Sequence, residues 1–494
     1  MTASPHVRLV VVTICVVLAH ACTRTDERAV AGDPCRMAAQ VADDLEHHVL
    51  PFWARTVDGR RGGYVIERAE GAEAPGDTRQ LVTQARLVWS FSRAHRAGFG
   101  GADARYLAAA RAGYTFLATH FHDSLHGGYY WMTDRDGHPS DTRKVLYGQA
   151  FAMFALSEYA RASGDGAALD DARRLFDVLE RHARDQAHGG WLEHFTRDWQ
   201  PIVAPQQYLL VEVAGLKSAN THLHMMEALT GLAEVAPSAS VTAALREALA
   251  INRRVFFAAP ERAVALVAPD WSRPRRPWTR GEVAERAREL AFGGTRLSYG
   301  HNVEFAWMAH RAETVLGLAP DWPAFDAVMA HALAFGFDRR RGGLFDGGYG
   351  RRAAWFTGKT WWAQAELLTA LSVADARRPR PAYADLLGQQ ATWVMRQQAD
   401  PATRVWRWSV SDEGHVSDAR LAHDWKTAYH DLRATLAYLA QCRQPRLSAS
   451  QASRYNARVC RSLPSRLRSI PMSCAVPSPK APSCSTCRAS STTR

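Results

Sequence analysis

The stretch YGHNVE, Tyr299 to Glu304, sets a histidine and a glutamate three residues apart at the head of an apolar helical run. Five clusters of the same kind flank it: QARLVW (Gln84 to Trp89), LYGQAF (Leu146 to Phe151), NTHLH (Asn220 to His224), WWAQAE (Trp361 to Glu366) and WKTAYH (Trp425 to His430). They recur at roughly 60 to 80 residues, the spacing of a supersecondary unit. Between them the apolar residues follow a helical period. Leu81, Ala85, Val88, Trp89 and Ser92 form one stripe; Tyr106, Ala110, Gly113, Tyr114 and Leu117 form another. Similar patterns cover 145–162, 169–184, 219–235, 241–257, 301–316, 323–336, 360–373, 383–397 and 425–440. The count is about a dozen helices.

Gly-Gly pairs followed by an aromatic or aliphatic residue punctuate the helices: Gly62-Gly63-Tyr64, Gly127-Gly128-Tyr129, Gly189-Gly190-Trp191 and Gly342-Gly343-Leu344. They suit the tight backbone at the start of short β-hairpin loops. Six clusters with paired helices predict an all-α fold, six helical hairpins closed into an (α/α)6 barrel. A solenoid is the open alternative, but only closure brings the first cluster to the sixth.

The chain has 494 residues, 47% of them hydrophobic, enough to bury a large core. Its net charge of +12 is concentrated at the end, because Gln441 to Arg494 carry ten Lys/Arg and no Asp/Glu. The rest sums to only +2, too little to track a phosphate backbone, so no nucleic-acid partner is expected. Arg8, the apolar run Leu9 to Leu18 and Ala19-His20-Ala21 read as a signal peptide over residues 1–21. The run is too short to span a membrane. The expectation is an exported protein, periplasmic or secreted, with a lipid anchor at Cys22 as the variant reading. No cysteine falls between Cys35 and Cys442, so a body at 35–440 without covalent staples is expected. Residues 441–494, rich in Ser, Arg, Pro and Cys, read as a disordered basic tail. A lone Cys484-x-x-Cys487 makes a poor zinc site.

Several cluster residues carry chemistry. Glu304 shares a helix face with His301, where it can orient the imidazole; helix capping is the plainer reading. His430 sits among aromatics, as a packed core histidine also would. His222 and His224 point in different directions on a helix, so at most one faces a given pocket. Arg86 on a mostly apolar helix needs an acceptor, either an anionic intermediate or a structural ion pair. Trp361, Trp362 and Trp425 suit the apolar face of a pyranose ring, or core packing. His224/Glu227 and His301/Glu304 have metal-ligand spacing but come from distant segments, so no metal is expected.

KSANTHLHMMEAL (Lys217 to Leu229), SYGHNVEFAW (Ser298 to Trp307), KTWWAQAE (Lys359 to Glu366) and WKTAYHDLRA (Trp425 to Ala434) resemble the signature segments of the cellobiose 2-epimerases. These enzymes are a branch of the N-acylglucosamine 2-epimerase superfamily. QARLVWSFSRA (Gln84 to Ala94) and LYGQAFAMFALSEY (Leu146 to Tyr159) match as well, and the resemblance runs in order from about residue 40 to 440. It implies cofactor-free epimerisation at C2 of the reducing-end glucose or mannose unit of a β-1,4-linked disaccharide. By motif, His301 and His430 would be the acid/base pair, with Glu304 orienting His301. Arg86 and His224 would stabilise the oxyanion. Trp362, Trp425, Asn220, Tyr147 and Trp361 would hold the sugar. The resemblance leaves an aldose–ketose isomerase as runner-up. A glycoside hydrolase or lyase on the same barrel and a non-catalytic sugar-binding barrel are the other classes. A small sugar as sole partner and a monomer are expected.

Overall fold

The computed structural model describes residues 33–66, 78–203, 214–273 and 296–443. The predicted signal, Cys22 and Cys484-x-x-Cys487 lie outside them. The chain divides into Met1–Arg443 and Gln444–Arg494, and only the first unit contains described residues.

Among the described residues, twelve helices alternate between an outer and an inner layer. The outer ones are α1 (Ala38–Asp44, prolonged by a π-helical turn at Leu45–Val49 and by Leu50–Ala54), α3 (Arg105–Phe116), α5 (Gly166–His182), α7 (Ala239–Ile251), α9 (Trp322–His331) and α11 (Pro381–Trp393). The inner ones are α2 (Leu81–Arg96), α4 (Leu146–Ser163), α6 (Ala219–Val235), α8 (Tyr299–Val315), α10 (Trp361–Arg377) and α12 (Tyr429–Arg443). Each inner helix packs on the next, and α12 returns to α2, so the ring closes. This is the (α/α)6 barrel.

Burial explains which layer each sequence enters. Helix α5 hides Ala168, Ala172, Leu175, Phe176 and Leu179, a single stripe, and leaves its charged side to solvent. Helix α4 is buried without a break from Leu146 to Ala160, with neighbours on every side. Helix α4 therefore shows little amphipathic contrast, and its polar residues must be satisfied internally or face a cavity.

The Gly-Gly segments close into antiparallel bridges, Val57 to Tyr64, His122 to Tyr129, Arg184 to Trp191 and Phe337 to Leu344, and short antiparallel strands follow them, as in the expected β-hairpin of Met132–Asp134 with Pro139–Asp141. All eight glycines have positive φ, between 65° and 83°. A device that the sequence reading missed anchors each loop. An aspartate four residues before the first glycine caps the loop backbone and binds a buried cation just ahead of the next inner helix. The pairs are Asp58–Arg79 (3.0 Å), Asp123–Lys144 (3.0 Å), Asp185–Lys217 (2.7 Å) and Asp338–Lys359 (2.7 Å). Five residues after the cation, Gln84, Gln149 and Gln364 each bond both backbone groups of Tyr64, Tyr129 and Leu344. His222 takes that place in the third unit, with Nε2 accepting from the Trp191 N–H at 3.5 Å. These contacts hang the loops on the heads of the inner helices.

Two expectations at the chain's end are corrected. The helix predicted from residue 425 begins at Tyr429; Trp425 and Lys426 belong to the preceding turn, where His423 and Lys426 pair. The last helix runs to Arg443, past the predicted boundary at 440, and Gln441 donates to Asp375 at 2.6 Å. The body also carries a staple, a disulfide between Cys35 and Cys442. Both cysteines stand at the ends of the cysteine-free stretch. Neither was assigned to the fold because the ring brings them together only once it closes. Five hairpins join an inner helix to the next outer one through a peptide loop. In the sixth, α12 packs on α1 and the disulfide stands where that loop would be.

Candidate active site

The inner helices begin at the loop face, and their first turns surround a cavity of about 360 Å³. Arg86, Tyr147, Asn220, His224, His301, Glu304, Trp361, Trp362, Trp425 and His430 all line it, and they comprise every residue singled out from the sequence as a site residue. Thr360 and Trp408 complete the wall. Converging helix N-termini give the floor a positive potential, suited to negative charge on a bound molecule.

Arg86 is buried, and its guanidinium makes no ion pair among the described residues. It donates to the Trp425 carbonyl at 3.1 Å and to the Tyr147 hydroxyl at 2.9 Å, and stacks on Phe151 and Tyr429 at 4.4 and 5.1 Å. Of the two readings open in the sequence, the structural ion pair is not formed among the described residues. What remains is a fixed, uncompensated cation at a cavity wall.

The imidazoles divide by environment. Nδ1 of His430 lies 2.7 Å from Oε1 of Glu366, and Nδ1 of His224 lies 3.0 Å from Oε2 of Glu227. His301 packs its ring against Trp362 at 4.7 Å and makes no side-chain hydrogen bond among the described residues. The expectation that Glu304 orients His301 is corrected: Glu304 accepts from Arg433 at 3.2 Å instead. An i, i+3 spacing puts two side chains on one helix face, but Arg433 on α12 supplies a stronger, charged partner. Burial lowers all three histidines. That of His301 falls to about 4, with His224 adding to the effect; His430 is driven well down, with Arg433 and Arg86 contributing. All three rings are neutral at pH 7 and able to accept a proton.

Beneath the cavity lies a charge cluster. Arg433 donates to Glu227 at 2.6 Å and also to Glu366, Glu304 and the Tyr429 hydroxyl, while its guanidinium lies 4.7 Å from the Trp307 ring. Trp307 donates its indole N–H to Glu366 at 2.9 Å. Burial raises Glu304 and Glu366, and Arg433 opposes it. Burial pushes Glu227 up too, but Arg433, His224 and Tyr429 outweigh it and hold this carboxyl down to about 2. Glu304, Glu366 and His430 stand close enough to share a metal ion. Arg433 already supplies a cation there: it bonds both carboxylates, and its Nη2 lies 3.4 Å from Nδ1 of His430.

The aromatic wall owes its shape to a glycine. A Cβ on Gly300 would stand 2.6 Å from the Trp362 ring, so the glycine in YGHNVE lets that indole lie against the head of α8. Trp361 packs on Trp408 at 4.5 Å, and Trp425 meets Tyr147 at 6.3 Å.

The model of the N-acylglucosamine 2-epimerase (GlcNAc 2-epimerase) family matches residues 62–434. The chain belongs to the N-acylglucosamine 2-epimerase family. It is a carbohydrate epimerase, an enzyme of the isomerase class. The cellobiose 2-epimerase of Bacteroides fragilis is 29% identical over 414 residues, 81% of this chain and 98% of that protein. The structure of the cellobiose 2-epimerase from Spirochaeta thermophila superposes with a TM-score of 0.70 at 30% identity, covering 84% of this chain and 98% of that one. The D-mannose isomerase of Marinomonas mediterranea is 29% identical over 189 residues, 37% of this chain and 44% of that protein.

Sequence reasoning missed that Glu366 and Glu227 bond the cavity histidines His430 and His224 and that Arg433 bonds both carboxylates. Glu227 and Arg433 each stand three residues after a cavity histidine on the same helix, the signal read at Glu304. Glu366 lies on α10 and reaches His430 on α12, a contact with no local sequence signature. No helix among the described residues is long and apolar enough to cross a membrane.

Proposed function

We propose that this epimerase inverts C2 of the reducing-end glucose or mannose unit of a β-1,4-linked disaccharide. His301 and His430 would be the two proton-transfer groups. The observation that carries this reading is two imidazoles from different helices, on α8 and α12, in one tryptophan-walled cavity beside an arginine with no ion pair among the described residues; burial holds both rings toward the neutral form. One imidazole takes the C2 proton of the opened aldose, the C–H electron pair moves toward the carbonyl, and an enediolate forms. The other returns a proton to C2 on the opposite face, regenerating the aldehyde with inverted configuration. Arg86 and the helix N-termini face the negative oxygen in between. Trp362 and Trp425 offer ring faces for the sugar. The chain's own groups supply each step, so no cofactor is invoked.

The likeness to a D-mannose isomerase keeps one second reading open, return of the proton to C1 of the same enediolate to give a ketose. Hydrolysis fits the site less well. It needs two carboxylates flanking a glycosidic bond, whereas Glu304 is the one carboxylate lining this cavity among the described residues, and it is tied to Arg433.

Incubation with cellobiose in deuterated water, followed by NMR, tests the assignment. Deuterium at C2 with a glucosyl-mannose product is expected. A ketose would move the reading to isomerase, and free glucose to hydrolase. Full activity in both His301→Ala and His430→Ala would refute the two-histidine scheme.

The protein is also proposed to be exported. The apolar Leu9 to Leu18 segment supports this, as does the Cys35–Cys442 disulfide, since such bonds persist in oxidising compartments.

A further inference from the structure

Two of the cavity imidazoles are held through Nδ1 by carboxylates, and one buried guanidinium grips both carboxylates. Nδ1 of His430 meets Glu366 and Nδ1 of His224 meets Glu227, while Arg433 donates to Glu366, Glu227 and Glu304 together. Arg433 itself is buried between the Trp307 and Tyr429 rings, 4.7 and 4.3 Å from their centres, and is not among the residues lining the cavity.

The charge count is the starting point. Three glutamates converge on one arginine, all inside the barrel. A carboxylate that keeps its charge can only accept from Nδ1–H, which leaves Nε2 as the bare lone pair. A carboxyl that takes up a proton can donate to Nδ1, and the ring then carries its hydrogen on Nε2. The second arrangement cannot abstract a proton at Nε2. Without Arg433, repulsion among Glu227, Glu304 and Glu366 would favour proton uptake on one of them.

We infer that Arg433 is a positioning residue that sets the tautomer of His430, and with it that of His224, by keeping Glu366 and Glu227 as acceptors. Its Nη2 also lies 3.4 Å from Nδ1 of His430, but a guanidinium can only donate, so it is the shorter 2.7 Å contact with a charged Glu366 that places the hydrogen on Nδ1; Arg433 acts through the carboxylates without touching the sugar. The groups facing His430 are Glu366 from α10, Arg86 from α2, His224 and Glu227 from α6, Glu304 and His301 from α8, and Tyr429 and Arg433 from its own helix. Of these, Arg433 is the one that bonds all three glutamates. The inference rests on His430 acting as a proton-transfer group, but its principal readout is independent of turnover.

Nitrogen-15 NMR of the histidine-labelled full-length protein at pH 7 reads the tautomer, with His430→Gln identifying the His430 signals. In the unmodified enzyme the hydrogen is expected on Nδ1 of His430; a hydrogen on Nε2 would overturn the proposal even if no variant folds. In Arg433→Met the expected change is a shift of His430 to the Nε2–H form. A fall in kcat of about 100-fold, with KM within about threefold, should accompany it. Arg433→Lys, which keeps a buried cation, should retain more of the Nδ1–H form and more of kcat than Arg433→Met. A folded Arg433→Met with an unchanged tautomer would show that the arginine is merely structural. An altered tautomer with undiminished kcat would instead retire His430 as a reacting group and leave the positioning role standing.

Discussion

His301 differs from the other two cavity imidazoles in having no carboxylate on its ring. It is also the one whose lowered proton affinity has the simplest origin, burial beside His224. The sign of the consequence follows from linkage. Its folded value of about 4 lies below the ordinary 6.5, so between these values the unfolded chain binds the extra proton and stability falls with falling pH. His301 leaves stability unaffected above pH 6.5, and its effect is complete below pH 4, at about 3 kcal/mol. Glu304 and Glu366, raised by burial, act in the opposite direction, so a difference measurement isolates the histidine. His301→Gln should flatten the acid limb of the melting temperature between pH 6.5 and 4 relative to the unmodified enzyme. Parallel curves would show that His301 is not buried neutral. At this scale the sequence was informative about identity and poor about pairing. It marked His301, His430 and Arg86 as cavity residues. It paired Glu304 with the wrong partner, because Arg433 comes from a helix more than a hundred residues away.

The recurring unit at the level of elements is the aspartate-to-cation anchor between a loop and the head of the next inner helix. Lys359 is fully buried, and its ammonium bonds Asp338 at 2.7 Å and the Gly342 carbonyl at 2.9 Å. Removing one partner leaves a buried charge alone, which costs about 3–5 kcal/mol. Lys359→Met should therefore lower the unfolding free energy by about that amount in denaturant titration, whereas the double change Lys359→Met with Asp338→Leu should recover part of it. A loss below about 1 kcal/mol would mean that Asp338 finds water instead. Helix positions and their pairing into hairpins were legible because the apolar residues recur at helical spacing, while the sorting into inner and outer layers shows only in how much of each helix is buried. Trp361 and Trp362 open α10 two residues after Lys359, so the anchor also places the aromatic wall. Its spacing of 21 residues between Asp and cation in three of the units was present in the sequence and went unread. Across a loop, no local period points to it.

Taken whole, the molecule is a ring whose closure rests on α12 meeting both α2 and α1. The Cys35–Cys442 bond spans 407 residues of sequence, so in the unfolded chain it forbids a very large set of conformations. A cross-link of that reach contributes on the order of 5 kcal/mol when native geometry is unstrained. Cys35→Ser, or mild reduction of the native protein, should lower the melting temperature without changing the turnover of the folded enzyme. An unchanged melting temperature would show that packing alone closes the ring. The six clusters revealed closure in the sequence; the sulfur bridge did not show, because two cysteines at the far ends of a cysteine-free body look unrelated until the fold joins them.

That bridge has a consequence for how the enzyme is presented to its surroundings. It lies where inner helices end, while the cavity opens where they begin. The described chain therefore enters at Asp33 and leaves at Arg443 on the side of the barrel away from the mouth. A tether joined at either point, whether a lipid, a surface or a fused partner, would hold the barrel by its back and leave the sugar entrance turned outward.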